Sequence, residues 1–157
     1  MNALARPIRL LHLEDSELDH ALAAAHLRRG GLEVQARRVE TRAEFLAALG
    51  EPWDVVLSDY NLPGFSGVEA LQILQAHLAT TGQLLPFILV SGQIGEDTAV
   101  EAMRNGASDY LLKNNLARLA PAVEHAIAST DAHRARRTAD LELQLSRRRL
   151  QELAQHL

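Results

Sequence analysis

Five short runs of β-forming residues alternate along this chain with five stretches whose apolar residues recur at helical spacing. That alternation constrains the fold more than any other feature. IRLLHLE (8–14), LEVQARRVE (32–40), WDVVLSD (53–59), PFILVSG (86–92) and SDYLLK (108–113) read as strands. ELDHALAAAHLRR (17–29), TRAEFLAALG (41–50), SGVEALQILQAHLAT (66–80), EDTAVEAMRNG (96–106) and LARLAPAVEHAIA (116–128) read as helices. Ser16 and Thr41 stand where N-caps belong, and Gly30-Gly31, Gly50 and Gly106 where helices stop. Strands that alternate with helices imply a parallel sheet covered on both faces, which the fully apolar cores of the first, third and fourth strands suit. The expected architecture is α/β: a flavodoxin-like, doubly wound (βα)5 with a five-stranded parallel sheet in the order 2-1-3-4-5 and a C-terminal helical extension. Five strands fit that order better than the longer dinucleotide-binding arrangement.

Composition bounds the function. A chain of 157 residues, 47% hydrophobic and 23% charged, suits one domain, here 1–128, with 129–157 as a helical, coiled-coil-like extension or linker. No run approaches the ~20 apolar residues of a membrane span, and MNALARPIRLLHLED lacks a signal peptide's apolar stretch, so a cytoplasmic location is expected. Zero cysteines exclude disulfides, thiol nucleophiles and zinc-thiolate sites. Residues 1–128 carry 10 Lys+Arg against 16 Asp+Glu, and residues 129–157 carry 6 against 4, which splits the net −4 into −6 and +2. So acidic a body is a poor surface for nucleic acid, and Arg147-Arg148-Arg149 is too short a basic patch to bind it alone.

In a sheet of this order, ligands sit at the C-terminal ends of the strands, where the order reverses between the first and third. The first strand ends on Glu14-Asp15 and the third on Asp59, just before a Pro63-Gly64 turn. Three carboxylates at one edge repel one another unless something neutralises them, and a hard divalent cation does so best; Mg²⁺ is the natural choice. An aspartate beside Mg²⁺ can act as a nucleophile towards phosphorus and form an aspartyl phosphate. The fourth strand adds the Ser91 hydroxyl at the same edge, and the fifth adds the Lys113 cation. Taken singly, Asp59 reads as a turn-former, Glu14-Asp15 as acids at a helix start and Lys113 as a solvated charge. Lys113, however, is the only lysine among 16 basic residues, and Arg's planar fork is a poor substitute for a point charge.

With Glu14-Asp15, Asp59 in LSDYNLPGFSGVE, Ser91-Gly92 after FILV and the closing AMRNGASDYLLK, residues 8 to about 128 resemble the receiver domain of two-component response regulators. The resemblance implies that Asp59 accepts a phosphoryl group from a histidine kinase or phosphotransfer protein. It implies that Asp15, Asp59 and the Asn61 backbone carbonyl bind Mg²⁺, with Glu14 contacting it through water, and that Lys113 and Ser91 hold the phosphoryl oxygens. Tyr110 matches the aromatic whose rotamer follows the Ser91 hydroxyl. Two positions depart from the pattern: Lys113 is followed by Asn114 where the family usually has a proline, often cis, which leaves the bond free to be trans and to present a different face beside the fifth helix, its isomer being left open by the sequence, and Ser91 stands where threonine is also frequent.

The seven histidines, at 12, 20, 26, 77, 125, 133 and 156, lack paired helical spacing and read as surface or partly buried residues. No Walker loop or GxGxxG sequence is present. In the tail, Leu143, Leu150 and Leu157 repeat every seven residues, with Leu153 in a d-like place and Ser146 a turn earlier. No Gly or Pro interrupts 122–157, so the tail is expected to continue the fifth helix and pair in a homodimer, with Pro121 kinking that helix or marking its first turn. RRRLQELAQHL also resembles the linker into the dimerisation helices of histidine kinases, which points to the N-terminal part of a longer hybrid protein. Two rival functions remain: a degenerate receiver acting as a phosphorylation-independent interaction module, and an Mg²⁺-dependent phosphohydrolase, whose DxDxT motif is missing.

Overall fold

The computed structural model of the chain describes residues 6–92 and 95–156. Its elements follow the expected alternation: β1 (Ile8–Leu13), α1 (Glu17–Arg29), β2 (Val34–Val39), α2 (Arg42–Ala48), β3 (Val55–Asp59), a small ladder of β4 (Asn61–Leu62) and β5 (Phe65–Ser66), α3 (Gly67–Thr81), β6 (Phe87–Ser91), α4 (Glu96–Arg104), β7 (Asp109–Leu112), a 3-10 segment (Lys113–Arg118) and α5 (Leu119–Gln155). The five long strands are parallel in the order β2-β1-β3-β6-β7, which is the expected 2-1-3-4-5 once the ladder is counted. Ser16 accepts from the Asp19 N–H and Thr41 from the Glu44 N–H, so both expected N-caps are in place.

Period-2 alternation along the strands sorts the core into two layers. Ile8, Leu10, Val55, Leu57, Ile88, Val90 and Leu111 face α1 and α5; Leu11, Leu13, Val56, Phe87 and Leu89 face α2, α3 and α4. The same parity carries His12 of β1, Glu14 just after it, Asp59 of β3 and Lys113 after β7 towards the α1 side.

The start of the fifth helix differs from the sequence reading. The stretch read as helical from 116 begins as the 3-10 turn, in which Asn115 departs from helical geometry (φ −135°, ψ 51°), and the α-helix starts at Leu119. Pro121 is therefore in the first turn, where its missing N–H costs nothing, and it causes no kink. None of the peptide bonds among the described residues is cis, Lys113–Asn114 included. Beyond the body, α5 continues unbroken for 37 residues in all, and Arg134 and Arg137 fasten it by donating to the backbone carbonyls of Leu84 (2.9 Å) and Gly82 (3.2 Å). Leu157 of the leucine repeat lies outside the described residues.

Candidate functional site

The chain leaves β1 directly into Glu14 and Asp15, held in the sheet direction because the Glu14 N–H still donates to Val39 O (3.0 Å). The turn that follows is pinned when the Ser16 N–H donates to the Glu14 carboxylate (3.1 Å). Asp59 is the last residue of β3. Immediately after it the Tyr60 N–H donates to Val90 O (3.1 Å), and the β4–β5 ladder folds the chain back through Pro63 and Gly64, whose φ of 78° is the left-handed region that glycine adopts freely. The returning strand brings the Gly67 N–H to Tyr60 O at 2.7 Å. A turn is needed there because β3 must stop at its acid and α3 must start beside it.

These elements converge on one cluster. Glu14, Asp15 and Asp59 can each turn an oxygen to within 4.8 Å of the others, Glu14 and Asp59 being buried and Asp15 exposed. Lys113, the first residue after β7, places Nζ 3.2 Å from Asp59 Oδ2 and 3.3 Å from Glu14 Oε2. Its shortest contact, 2.8 Å, is to Asp19 on the first turn of α1, a residue the sequence reading passed over. Ser91 is buried at the end of β6. Tyr110, on β7, packs in the layer under α3 and α4, and its buried hydroxyl has no hydrogen-bond partner among the described residues. Asn61 opens β4 two residues after Asp59, so its backbone lies next to the acid.

The charges do not balance. Burial raises the Glu14 carboxyl to about 7, and the neighbouring Asp59 adds to the rise against the Ser16 N–H and Lys113. Burial also raises Asp59, against the opposing pull of Lys113 and the backbone N–H groups of Asn61 and Tyr60. Burial alone would lower the Lys113 ammonium, but Asp19, Asp59 and Glu14 outweigh it and hold it raised. One ammonium thus faces more carboxylates than it can neutralise, and the surplus sits in an all-oxygen donor set of the kind hard divalent cations prefer. The residues present fit Mg²⁺. A small hollow of about 60 Å³ lies under this cluster, lined by His12, Glu14, Asp19 and Lys113 among others. A larger hollow, about 770 Å³, is at the opposite end of the sheet between Trp53, Leu84 and α5, away from every acid named above.

One expectation about the histidines is corrected. His12 is buried in β1, 3% exposed, and its Nδ1 lies 2.8 Å from Nδ1 of His20 on α1. Their spacing of eight residues spans a strand, a turn and a helix start, so no helical periodicity could have shown it. Burial, with His20, Lys113 and Arg38 nearby, lowers His12 to about 3 and keeps it neutral.

The family model of the response regulator receiver domain matches residues 10–124. Among curated proteins, the response regulator protein FleR of Pseudomonas aeruginosa is 36% identical over 104 residues, 66% of this chain and 21% of FleR. The DNA-binding transcriptional regulator NtrC of Escherichia coli is 39% identical over 98 residues, 61% of this chain and 18% of NtrC. The chain therefore spans about a fifth of the length of these relatives. A solved structure of a putative response regulator from Chloroflexus aurantiacus, 26% identical, superposes with a TM-score of 0.67 over 78% of this chain and 99% of that one. The signal receiver domain of a putative Luxo repressor protein from Vibrio parahaemolyticus, 22% identical, shares the fold with a TM-score of 0.69 over 83% and 97%. With a family match across most of its length and a receiver sheet under the acidic cluster, the chain belongs to the response regulator receiver family.

Proposed function

We propose that the chain is a phosphorylation-controlled switch whose phosphoacceptor is Asp59. The observation that carries this reading is the placement of the Asp59 carboxylate between the Glu14-Asp15 pair and Lys113. An Asp59 oxygen attacks the phosphorus of a partner's phosphohistidine; the O–P bond forms as the P–N bond breaks, and the imidazole nitrogen keeps the electron pair and takes up a proton. Lys113 holds charge that develops on the phosphoryl oxygens, and the Ser91 hydroxyl donates to one of them. Mg²⁺, bound by Asp15, Asp59 and the Asn61 carbonyl with Glu14 beside it, would neutralise the same oxygens. The donor is a histidine kinase or phosphotransfer protein, and the reading places both in the cytoplasm.

Tyr110 completes the switch. Its buried hydroxyl has no hydrogen-bond partner among the described residues, so nothing seen there locks the ring against a second rotamer when the Ser91 hydroxyl engages the phosphoryl group. The output runs through α5. Leu143 and Leu150 stand about half a turn from the face that carries Arg134 and Arg137, and both are exposed, which fits a homodimer seam turned away from the body.

Mass spectrometry after incubation with acetyl phosphate and Mg²⁺ tests the core of this. One added phosphoryl group, absent from Asp59→Asn, is expected; equal labelling of that variant would remove Asp59 from the role.

A further inference from the structure

Asp19 has no part in the phosphoacceptor reading, yet it makes the closest contact to its cation. Lys113 Nζ lies 2.8 Å from Asp19 Oδ2, against 3.2 Å for Asp59 and 3.3 Å for Glu14. Among the three partners, Asp19 is also the outward one: its side chain is 36% exposed, while those of Asp59 and Glu14 are 10% and 3% exposed. The ammonium is therefore drawn from the floor of the site towards its mouth.

Asp19 is held firmly enough to do this. Its N–H donates to the Ser16 hydroxyl (3.2 Å), the N-cap of α1, and Ser16 in turn donates its own N–H to Glu14. The next residue, His20, is joined Nδ1 to Nδ1 with buried His12, two positions before Glu14 on β1. The first turn of α1 is thus tied twice to the strand that presents the acidic pair. Asp19 is not one of the three carboxylates that converge as cation ligands.

That separation matters for a site in which two cations want the same oxygens. Asp59 and Glu14 are partners of Lys113 and ligand candidates for Mg²⁺ at once. An ammonium resting only on those two would compete with the metal for them. We propose that Asp19 is a positioning residue: it holds Lys113 at the mouth of the site, leaving the Asp59 and Glu14 oxygens for Mg²⁺ and the ammonium ready for the incoming phosphoryl group. The inference rests on Asp59 being the phosphoacceptor.

The test is a double-mutant cycle read by Mg²⁺ titration calorimetry and by the rate of Asp59 labelling with acetyl phosphate. In the wild-type background, Asp19→Asn should weaken Mg²⁺ binding and slow labelling, each by about three- to ten-fold, with Asp19→Glu nearer to wild type. In a Lys113→Ala background, the same Asp19→Asn change should have almost no effect on Mg²⁺ affinity, because the residue acts through the ammonium. Asp19 is partly exposed on a helix, and thermal melts check that each variant folds. An unaltered Asp19→Asn, or an equal loss of affinity with and without Lys113, overturns the assignment while Asp59 keeps its role. Wild-type protein that takes no phosphoryl group on Asp59 overturns both.

Discussion

Lys113 is the residue on which the site's electrostatics turn. Its ammonium is shared by three carboxylates within 3.3 Å, a geometry for a compact point charge. Lys113→Arg keeps the charge but spreads it over a planar fork, so labelling of Asp59 by acetyl phosphate should slow by about ten-fold or more, the worth of one charge-assisted contact. A wild-type rate in that variant would return Lys113 to the role of a surface cation. Two neighbours set opposite pH dependences on the metal-free fold. His12, lowered by burial from 6.5 to about 3, contributes stability that is present above 6.5 and lost as the pH falls through that window. Glu14, raised by burial from 4.5 to about 7, contributes stability that is full below 4.5 and lost as the pH rises through 7. Urea denaturation in EDTA between about pH 5 and pH 8 separates them: relative to wild type, His12→Gln should gain stability towards acid and Glu14→Gln towards base. Parallel profiles for all three proteins would show that neither group carries the dependence. That Glu14, Asp15, Asp59, Ser91 and Lys113 share one sheet edge was legible in the sequence, because each ends a strand or closely follows one, and the alternation already gave the strands' direction. Asp19 and the His12–His20 pair were not. Asp19 looks like any acid in a helix's first turn, and the histidines meet only when α1 packs on β1.

Among the elements, the return from β3 to α3 leaves no room for an added side chain. A Cβ at Gly67 would lie 2.5 Å from the Asp59 backbone oxygen and 2.5 Å from Leu89 Cδ1, so Gly67→Ala must push the acid or its neighbour aside. A loss of about 1–3 kcal/mol is expected, together with slower phosphorylation of Asp59. Gly50→Ala, whose Cβ would meet nothing nearer than the Ala47 oxygen at 3.6 Å, should be close to neutral in the same melts. Equal stability of the two variants would mean that the turn has room the packing does not show. The β4–β5 ladder escaped the sequence reading because two-residue strands are too short to show alternation; only the Pro63-Gly64 turn inside it was visible. The late start of α5 has a similar cause. LARLAPAVEHAIA has helical spacing throughout, and spacing alone does not separate a 3-10 turn from the α-helix that follows it.

For the whole molecule, the question is what a body with a 37-residue final helix does with its far end. Leu150 and Leu153 are 64% and 65% exposed there, and a solitary helix gains little by keeping them wet. The full chain should sediment as a dimer at micromolar concentration, and a version cut after Ala128 as a monomer. Equal behaviour of the two would take dimerisation away from the extension. Arg137 is the last residue of α5 seen to hydrogen-bond the body, and Gln155 lies roughly 27 Å further along the axis at 1.5 Å per residue. A tilt of α5 about the Arg134 and Arg137 contacts would be magnified over that length. Each degree of such a tilt would sweep the tip by roughly 0.5 Å, so a tilt of about ten degrees would move the end of the lever by roughly 5 Å.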